Sequence, residues 1–125
     1  MNEDTRVWLQ RRAIQAAPFE ACGFIMDNGD IVEIRNVATD PERSFHMDFH
    51  QMVEKLAGRD EYIAGIWHTH PKGTVTPSHT DLHAIKLGAV KSNWDYWIVT
   101  ADGVYLYESN RFATQHDSFW DDFVS

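Results

Sequence analysis

The chain has 125 residues, a formal net charge of −8 and a hydrophobic fraction of 43%. This length and apolar content suffice for one continuous core, so we expect a single domain over residues 1–125. The excess of acidic residues argues against nucleic-acid binding, which depends on clustered Lys and Arg. We find no signal peptide and no apolar run near the roughly 20 residues of a membrane span, which predicts a soluble, cytoplasmic protein. The lone Cys22 excludes an internal disulfide and a four-cysteine zinc site.

The first half of the chain alternates between helical and extended periodicity. The predicted helices are residues 4–17 and Phe49–Leu56, and the predicted strands are Cys22–Met26, Ile31–Ile34 and residues 44–48. Pro18 ends the first helical pattern. Asn28-Gly29 lies between the first two strands and is typical of a tight hairpin turn, because both residues tolerate positive φ.

The second half of the chain contains the most apolar segment, residues 62–67, which is typical of a strand buried on both faces. The other predicted elements are a helix over residues 81–90 and a hairpin of residues 96–100 and 104–107. Residues 112–124 mix aromatic and acidic side chains, and we expect the aromatic ones to pack on the body of the domain. This order predicts an α/β (α+β) sandwich, with a mixed central β-sheet flanked by helices.

Two histidines, His68 and His70, directly follow the apolar segment. Residues two apart on an extended chain point to the same side, so both imidazoles can reach one metal ion. Zinc favours imidazole and carboxylate ligands, and a catalytic zinc site has three protein ligands. Asp81 is the best local candidate for the third. The segment Ser78-His79-Thr80-Asp81 fits a helix capping box equally well, and spacing alone does not separate the two interpretations.

Glu20 is the candidate general base, because it is a charged residue between a helix end and an apolar strand. The alternative is a solvated acid at the end of the helix. His79 and His83 are spaced to share a helix face, but a pair without a third ligand is more often an exposed surface, so both are left out of the site. Cys22 is assigned to the core.

These residues together resemble a known signature. The pattern His68-x-His70, seven residues, Ser78, two residues and Asp81, with Glu20 upstream in Pro-x-Glu-x-Cys-Gly, is similar to that of the JAMM (MPN+, JAB domain) zinc metallopeptidases. The resemblance implies a cytidine deaminase-like core and one Zn²⁺ per chain, bound by His68, His70 and Asp81. It also implies that Glu20 acts as general base and then general acid, and that Ser78 hydrogen-bonds the oxyanion.

The resemblance further implies hydrolysis of a peptide or isopeptide bond in a protein or peptide substrate. The C-terminal tail of a ubiquitin-like or sulfur-carrier protein is the expected target, and the small size resembles bacterial or phage members of the family. The alternatives are a cell-wall or phage tail-assembly peptidase and a non-catalytic MPN scaffold module, while the acidic charge disfavours a metal-dependent nuclease. A loop over residues 41–45 is expected to cover the metal. The oligomeric state stays open.

Overall fold

The computed structural model describes residues 1–86, 91 and 93–107. The helices in these residues are α1 (Glu3–Ala16), α2 (Phe49–Leu56) and α3 (His79–Lys86). The strands are β1 (Cys22–Met26), β2 (Ile31–Ile34), β3 (Ile63–Thr69), β4 (Asp95–Thr100) and β5 (Gly103–Tyr107), and a 3-10 turn covers Asp60–Tyr62.

The five strands form one mixed sheet in the order β2-β1-β3-β4-β5. β3 and β4 run parallel, and every other neighbouring pair is antiparallel. A parallel pair needs a crossover connection, and α3 lies on the segment that joins β3 to β4. β3 occupies the centre of the sheet, which is why its sequence is apolar on both faces. The mixed central sheet confirms the fold class predicted from the sequence.

Helices cover both faces of the sheet. On one face, Leu9 and Ala13 of α1 pack in a cluster with Trp67 of β3. On the other face, Leu56 of α2 and Leu82 of α3 pack against two further clusters of strand side chains. Each such leucine contributes about 1.5–3 kcal/mol when it is fully buried. The sheet is therefore held between α1 on one side and the pair α2 and α3 on the other.

Polar side chains cap the first two helices. The side chain of Asn2 accepts a hydrogen bond from the backbone N–H of Thr5 at 2.8 Å, and Asp48 accepts one from His50 at 2.9 Å. These bonds satisfy backbone donors that have no partner within the helix. α1 ends before Pro18, as predicted, with both boundaries one residue earlier than the predicted range 4–17.

The prediction of a strand over residues 44–48 is wrong. Only Met47 makes an isolated β-bridge, to Asn36. Two backbone hydrogen bonds flank this bridge, but before it the Asn36 side chain replaces the ladder, because its amide donates to the carbonyl of Ser44 at 3.0 Å and accepts from the N–H of His46 at 3.0 Å. The segment therefore folds as a loop around one side-chain amide.

Other boundaries differ by smaller amounts. β3 begins at Ile63 and continues to Thr69, beyond the predicted 62–67, because Tyr62 belongs to the 3-10 turn. α3 begins at His79, two residues before the predicted start at residue 81. Residues 87–90 of that predicted helix and the segment 112–124 lie outside the described residues. Within the part of the chain that is described, no helix is long and apolar enough to cross a membrane.

Candidate metal centre

The sheet register brings the start of β1 next to the end of β3. Because these strands are antiparallel, Cys22 pairs with His68. The ladder continues past β1, since the N–H of Thr69 donates to the carbonyl of Ala21 at 2.9 Å. Glu20 precedes Ala21, and it therefore lies at the same edge of the sheet as the two histidines although 48 residues separate Glu20 from His68.

Three side chains converge at this edge. The Nε2 atoms of His68 and His70 lie 2.9 Å apart, and Oδ2 of Asp81 lies 3.2 Å from each of them. All three residues are buried. The two imidazoles thus point to the same side of β3, as their spacing predicts, and the first turn of α3 adds the carboxylate.

The helix start at Ser78 satisfies both interpretations that the sequence leaves open. The hydroxyl oxygen of Ser78 accepts a hydrogen bond from the N–H of Asp81 at 3.1 Å, and the N–H of Ser78 donates to Oδ2 of Asp81 at 2.9 Å. This reciprocal pair is a capping box. The same Oδ2 atom faces both imidazoles, so the capping box also fixes the direction of the carboxylate.

The spacing of the three donor atoms, the two Nε2 atoms and Oδ2 of Asp81, suits a metal cation. Ligand atoms around a tetrahedral ion with bonds of about 2.0–2.1 Å are separated by about 3.3 Å. The separations here are 2.9 Å and twice 3.2 Å, close to that value. A second combination is Glu20 with the two histidines, whose ligand atoms lie within 4.8 Å of one another. Both combinations share His68 and His70, which are the residues that could hold a metal.

The two imidazoles are oriented in different ways. Nδ1 of His70 donates to the carbonyl of Thr74 at 2.8 Å, which leaves the lone pair of Nε2 facing the cluster. His68 is fully buried, and its Nδ1 has no hydrogen-bond partner within the described residues. Its ring is held by packing between Phe45, which stacks on it at 4.6 Å, and Tyr96, at 5.2 Å.

Glu20 is a buried carboxylic acid that is 6% exposed, and its Oε1 has no hydrogen-bond partner within the described part of the chain. Burial, and secondarily the negative charge of Asp81, raises the pKa of Glu20 to about 7. The positive charge of His70 opposes this rise but does not cancel it. The carboxyl group can therefore both accept and release a proton near neutral pH.

The other titratable groups respond to the same contacts. Burial lowers the pKa of His68. Burial also lowers the pKa of His70, but hydrogen bonds to Asp81 and to Thr74 outweigh it, so the net pKa is raised. For Asp81, burial alone would raise the pKa, yet the two histidines and the Ser78 N–H hold it well below its ordinary range. Burial, with the adjacent Asp81 carboxylate, raises the pKa of Tyr96 well above its ordinary value.

A cleft opens onto the cluster. Its volume is about 190 Å³, and Glu20, His70 and Ser78 all line it. Residues of the 41–45 loop lie beside this cleft, because the carbonyl of Pro41 accepts a hydrogen bond from the Glu20 N–H at 2.7 Å, and Arg43 lines the cleft.

Comparison with known protein families agrees with this geometry. The family model for prokaryotic homologs of the JAB domain matches residues 5–117. The chain belongs to the prokaryotic JAB family. No protein of curated function matches the chain. The family resemblance drawn from the five signature positions is thus confirmed. The structure also brings the five JAB signature residues together. They are Glu20, His68, His70, Ser78 and Asp81.

Residues that the sequence left out of the JAB site also lie as expected. His79 and His83 are both exposed on α3. Cys22 is buried with its thiol directed at the carbonyl of Ile34, 3.4 Å away. Burial raises the pKa of this thiol to about 12, which suits a core residue and not a nucleophile.

Three residues around the JAB site were not foreseen from the sequence. They are Asn36, Thr74 and Tyr96. Tyr96 is an aromatic residue with the pattern of an ordinary core position, and Thr74 contributes only a backbone carbonyl, which any residue carries. The amide of Asn36 donates to the carbonyl of Glu20 at 2.9 Å, and an isolated Asn between a strand and a loop gives no sign of that contact.

Proposed function

We propose that this chain is a zinc-dependent peptidase or isopeptidase. The observation that carries the proposal is the convergence of His68, His70 and Asp81 within 3.2 Å beside the buried Glu20. Two imidazole nitrogens and a carboxylate oxygen this close need a shared proton or a metal cation between them, and a nearby acid with a pKa of about 7 is suited to proton transfer.

We assign the metal ligands as His68, His70 and Asp81. Asp81 is preferred to Glu20 as the third ligand because its 3.2 Å separation from both Nε2 atoms matches the edge of a tetrahedral site. Its capping-box bond with Ser78 also keeps the carboxylate in place. Bound zinc would polarise the scissile carbonyl and lower the pKa of an attacking water to about 7.

Glu20 is assigned as the proton carrier. Its free Oε1 can accept a proton from the attacking water, and the same carboxyl can then release that proton to the leaving amine. Both transfers need a pKa near the working pH, which burial supplies. The peptide group of Glu20 is fixed, because its N–H donates to Pro41 and its carbonyl accepts from Asn36.

Ser78 is assigned to the oxyanion. Its oxygen already accepts the N–H of Asp81, so its hydroxyl proton can be donated into the cleft that it shares with Glu20 and His70. As the substrate carbonyl becomes tetrahedral, its oxygen gains negative charge, and one well-placed donor can stabilise that charge by about 3 kcal/mol.

The substrate is expected to present an extended, narrow segment. A cleft of about 190 Å³ admits a few residues of a chain and not a folded domain. A second cleft of about 390 Å³ shares Glu42, Arg43, Pro71 and Lys72 with it and leads away from the cluster. The C-terminal tail of a ubiquitin-like or sulfur-carrier protein has this form, and we propose it as the substrate class.

The test is cleavage of a ubiquitin-like or sulfur-carrier protein that carries a short C-terminal peptide extension. Zinc-loaded protein should release the extension, detected by intact mass. Glu20→Gln should bind the same amount of zinc but cleave at least about 100-fold more slowly, because it cannot transfer the proton. Glu54→Gln is the matched control, since Glu54 is an exposed acid on α2 that lines neither cleft, and it should cleave at a rate close to that of wild type.

The outcomes separate the alternatives. Cleavage of cell-wall peptides or phage tail polypeptides alone would contradict the proposed substrate class but would support the proposed peptidase activity. Zinc binding with no cleavage of any of these peptides would favour a scaffold module. Equal activity in wild type and Glu20→Gln would contradict the role of Glu20.

A further inference from the structure

Tyr96 lies next to the group formed by His68, His70 and Asp81. It belongs to β4, is 1% exposed, and lines one cavity together with Asp81, whose carboxylate is close enough to add to the effect of burial and raise the pKa of the Tyr96 hydroxyl. Its ring also lies 5.2 Å from the ring of His68. One side chain of the central sheet therefore lies beside two of the three proposed ligands.

The Asp81 contact matters because a carboxylate has two side-chain torsions to fix. The Ser78 N–H holds Oδ2 at 2.9 Å, but that bond comes from the same first turn of α3 and moves with it. Tyr96 instead belongs to a strand that pairs with β3, the strand that carries the histidines. A hydrogen bond from the Tyr96 hydroxyl to Asp81 would therefore connect the ligand on α3 to the sheet that holds the other two.

The His68 contact compensates for a missing hydrogen bond. A metal-binding histidine usually donates its second ring nitrogen to a carboxylate or carbonyl, as His70 does to Thr74. Nδ1 of His68 has no such partner among the described residues. Beyond its contacts at Nε2, the orientation of the His68 ring therefore depends on the two aromatic rings that contact it, Phe45 and Tyr96.

We propose that Tyr96 is a positioning residue that sets the metal affinity of this centre, by anchoring Asp81 through its hydroxyl and by packing on His68. The inference rests on the proposed zinc site. Loss of a hydrogen bond to a metal ligand typically weakens metal affinity by about 10–100-fold. Tyr96→Phe removes the bond to Asp81 and keeps the ring, so its zinc affinity should fall within that range.

The experiment measures zinc affinity by competition with a chromophoric chelator, in wild type, Tyr96→Phe and Tyr107→Phe. Tyr107 is the matched control, because its ring lies 6.4 Å from that of Tyr96 in the same core cluster. Tyr107→Phe should bind zinc with nearly wild-type affinity. The visible spectrum of the cobalt-loaded proteins should change in Tyr96→Phe only, because that spectrum reports ligand geometry and not global stability.

Each result supports or overturns the proposed role of Tyr96. Wild-type affinity and an unchanged cobalt spectrum in Tyr96→Phe would overturn the inference while leaving the zinc site intact. Equal losses in Tyr96→Phe and Tyr107→Phe would also overturn it, since the effect would then come from general core disruption. No zinc in wild type would contradict the proposed function itself. If Tyr96→Phe does not fold, Tyr96→Met, which lacks both the hydroxyl and the ring, should lose at least as much affinity.

Discussion

Glu20→Gln should change how the stability of the zinc-free protein depends on pH. The ordinary pKa of the glutamate side chain is 4.5, and burial raises it to about 7 in the folded chain. The folded state therefore binds this proton more tightly than the unfolded state does. The stabilisation from protonated Glu20 is fully present below pH 4.5 and is lost as pH rises through about 7.

The size of this effect follows from the two pKa values. At about 1.4 kcal/mol for each pH unit between 4.5 and about 7, ionised Glu20 costs the folded protein about 3 kcal/mol. Glutamine is neutral at every pH and carries no such cost. Any penalty from an unpaired amide in the same position is independent of pH. The stability of Glu20→Gln relative to wild type should therefore increase by about 2–3 kcal/mol between pH 4 and pH 9.

Urea unfolding in the presence of a chelator, repeated across this pH range, measures the difference directly. Wild type and Glu20→Gln share every other titratable group, so subtraction of the two curves leaves the contribution of Glu20 together with its coupling to Asp81 and His70. Glu42→Gln, at an exposed position, should parallel wild type. A difference between Glu20→Gln and wild type that stays flat with pH would mean that Glu20 ionises as freely as an exposed acid, and would refute the argument from burial.

Three further predictions concern the core, and Gly58, an exposed glycine, serves as the control for one of them. Cys22, with a pKa of about 12, should not react with a thiol reagent at pH 8 until urea unfolds the chain, as followed by absorbance. Gly23→Ala should strongly reduce the urea midpoint, because the added Cβ would lie 2.1 Å from the carbonyl oxygen of Val32. Gly58→Ala, in open space at a φ of +73°, should cost only about 1–2 kcal/mol. Leu9→Ala, at 0% exposure, should destabilise by about 2–5 kcal/mol in the same assay.

The sequence predicts well those features that depend on local order. The apolar run before His68 indicates a strand buried on both faces, and β3 is the central strand. The two-residue spacing of His68 and His70 predicts rings on one side, and their Nε2 atoms are 2.9 Å apart. In both cases neighbouring residues of one strand carry the information.

Features that depend on distant contacts were not predictable. The alternating pattern of residues 44–48 suggests a strand, but the side-chain amide of Asn36 bonds the carbonyl of Ser44 and the N–H of His46. Spacing could not decide whether Asp81 caps a helix or binds a metal, because Oδ2 has the geometry for both. The aromatic enclosure of His68 depends on Tyr96 of a strand that pairs with β3 only in the folded sheet.

The most direct test of the proposed centre is the zinc content of freshly purified protein, measured by elemental analysis without added metal. Wild type should contain close to one zinc per chain, and His68→Ala should lose it. His83→Ala removes an exposed histidine from the helix that carries Asp81, and it should retain the metal. No zinc in wild type even after zinc is supplied, or zinc retained in His68→Ala, would contradict the proposal that these residues form a metal site.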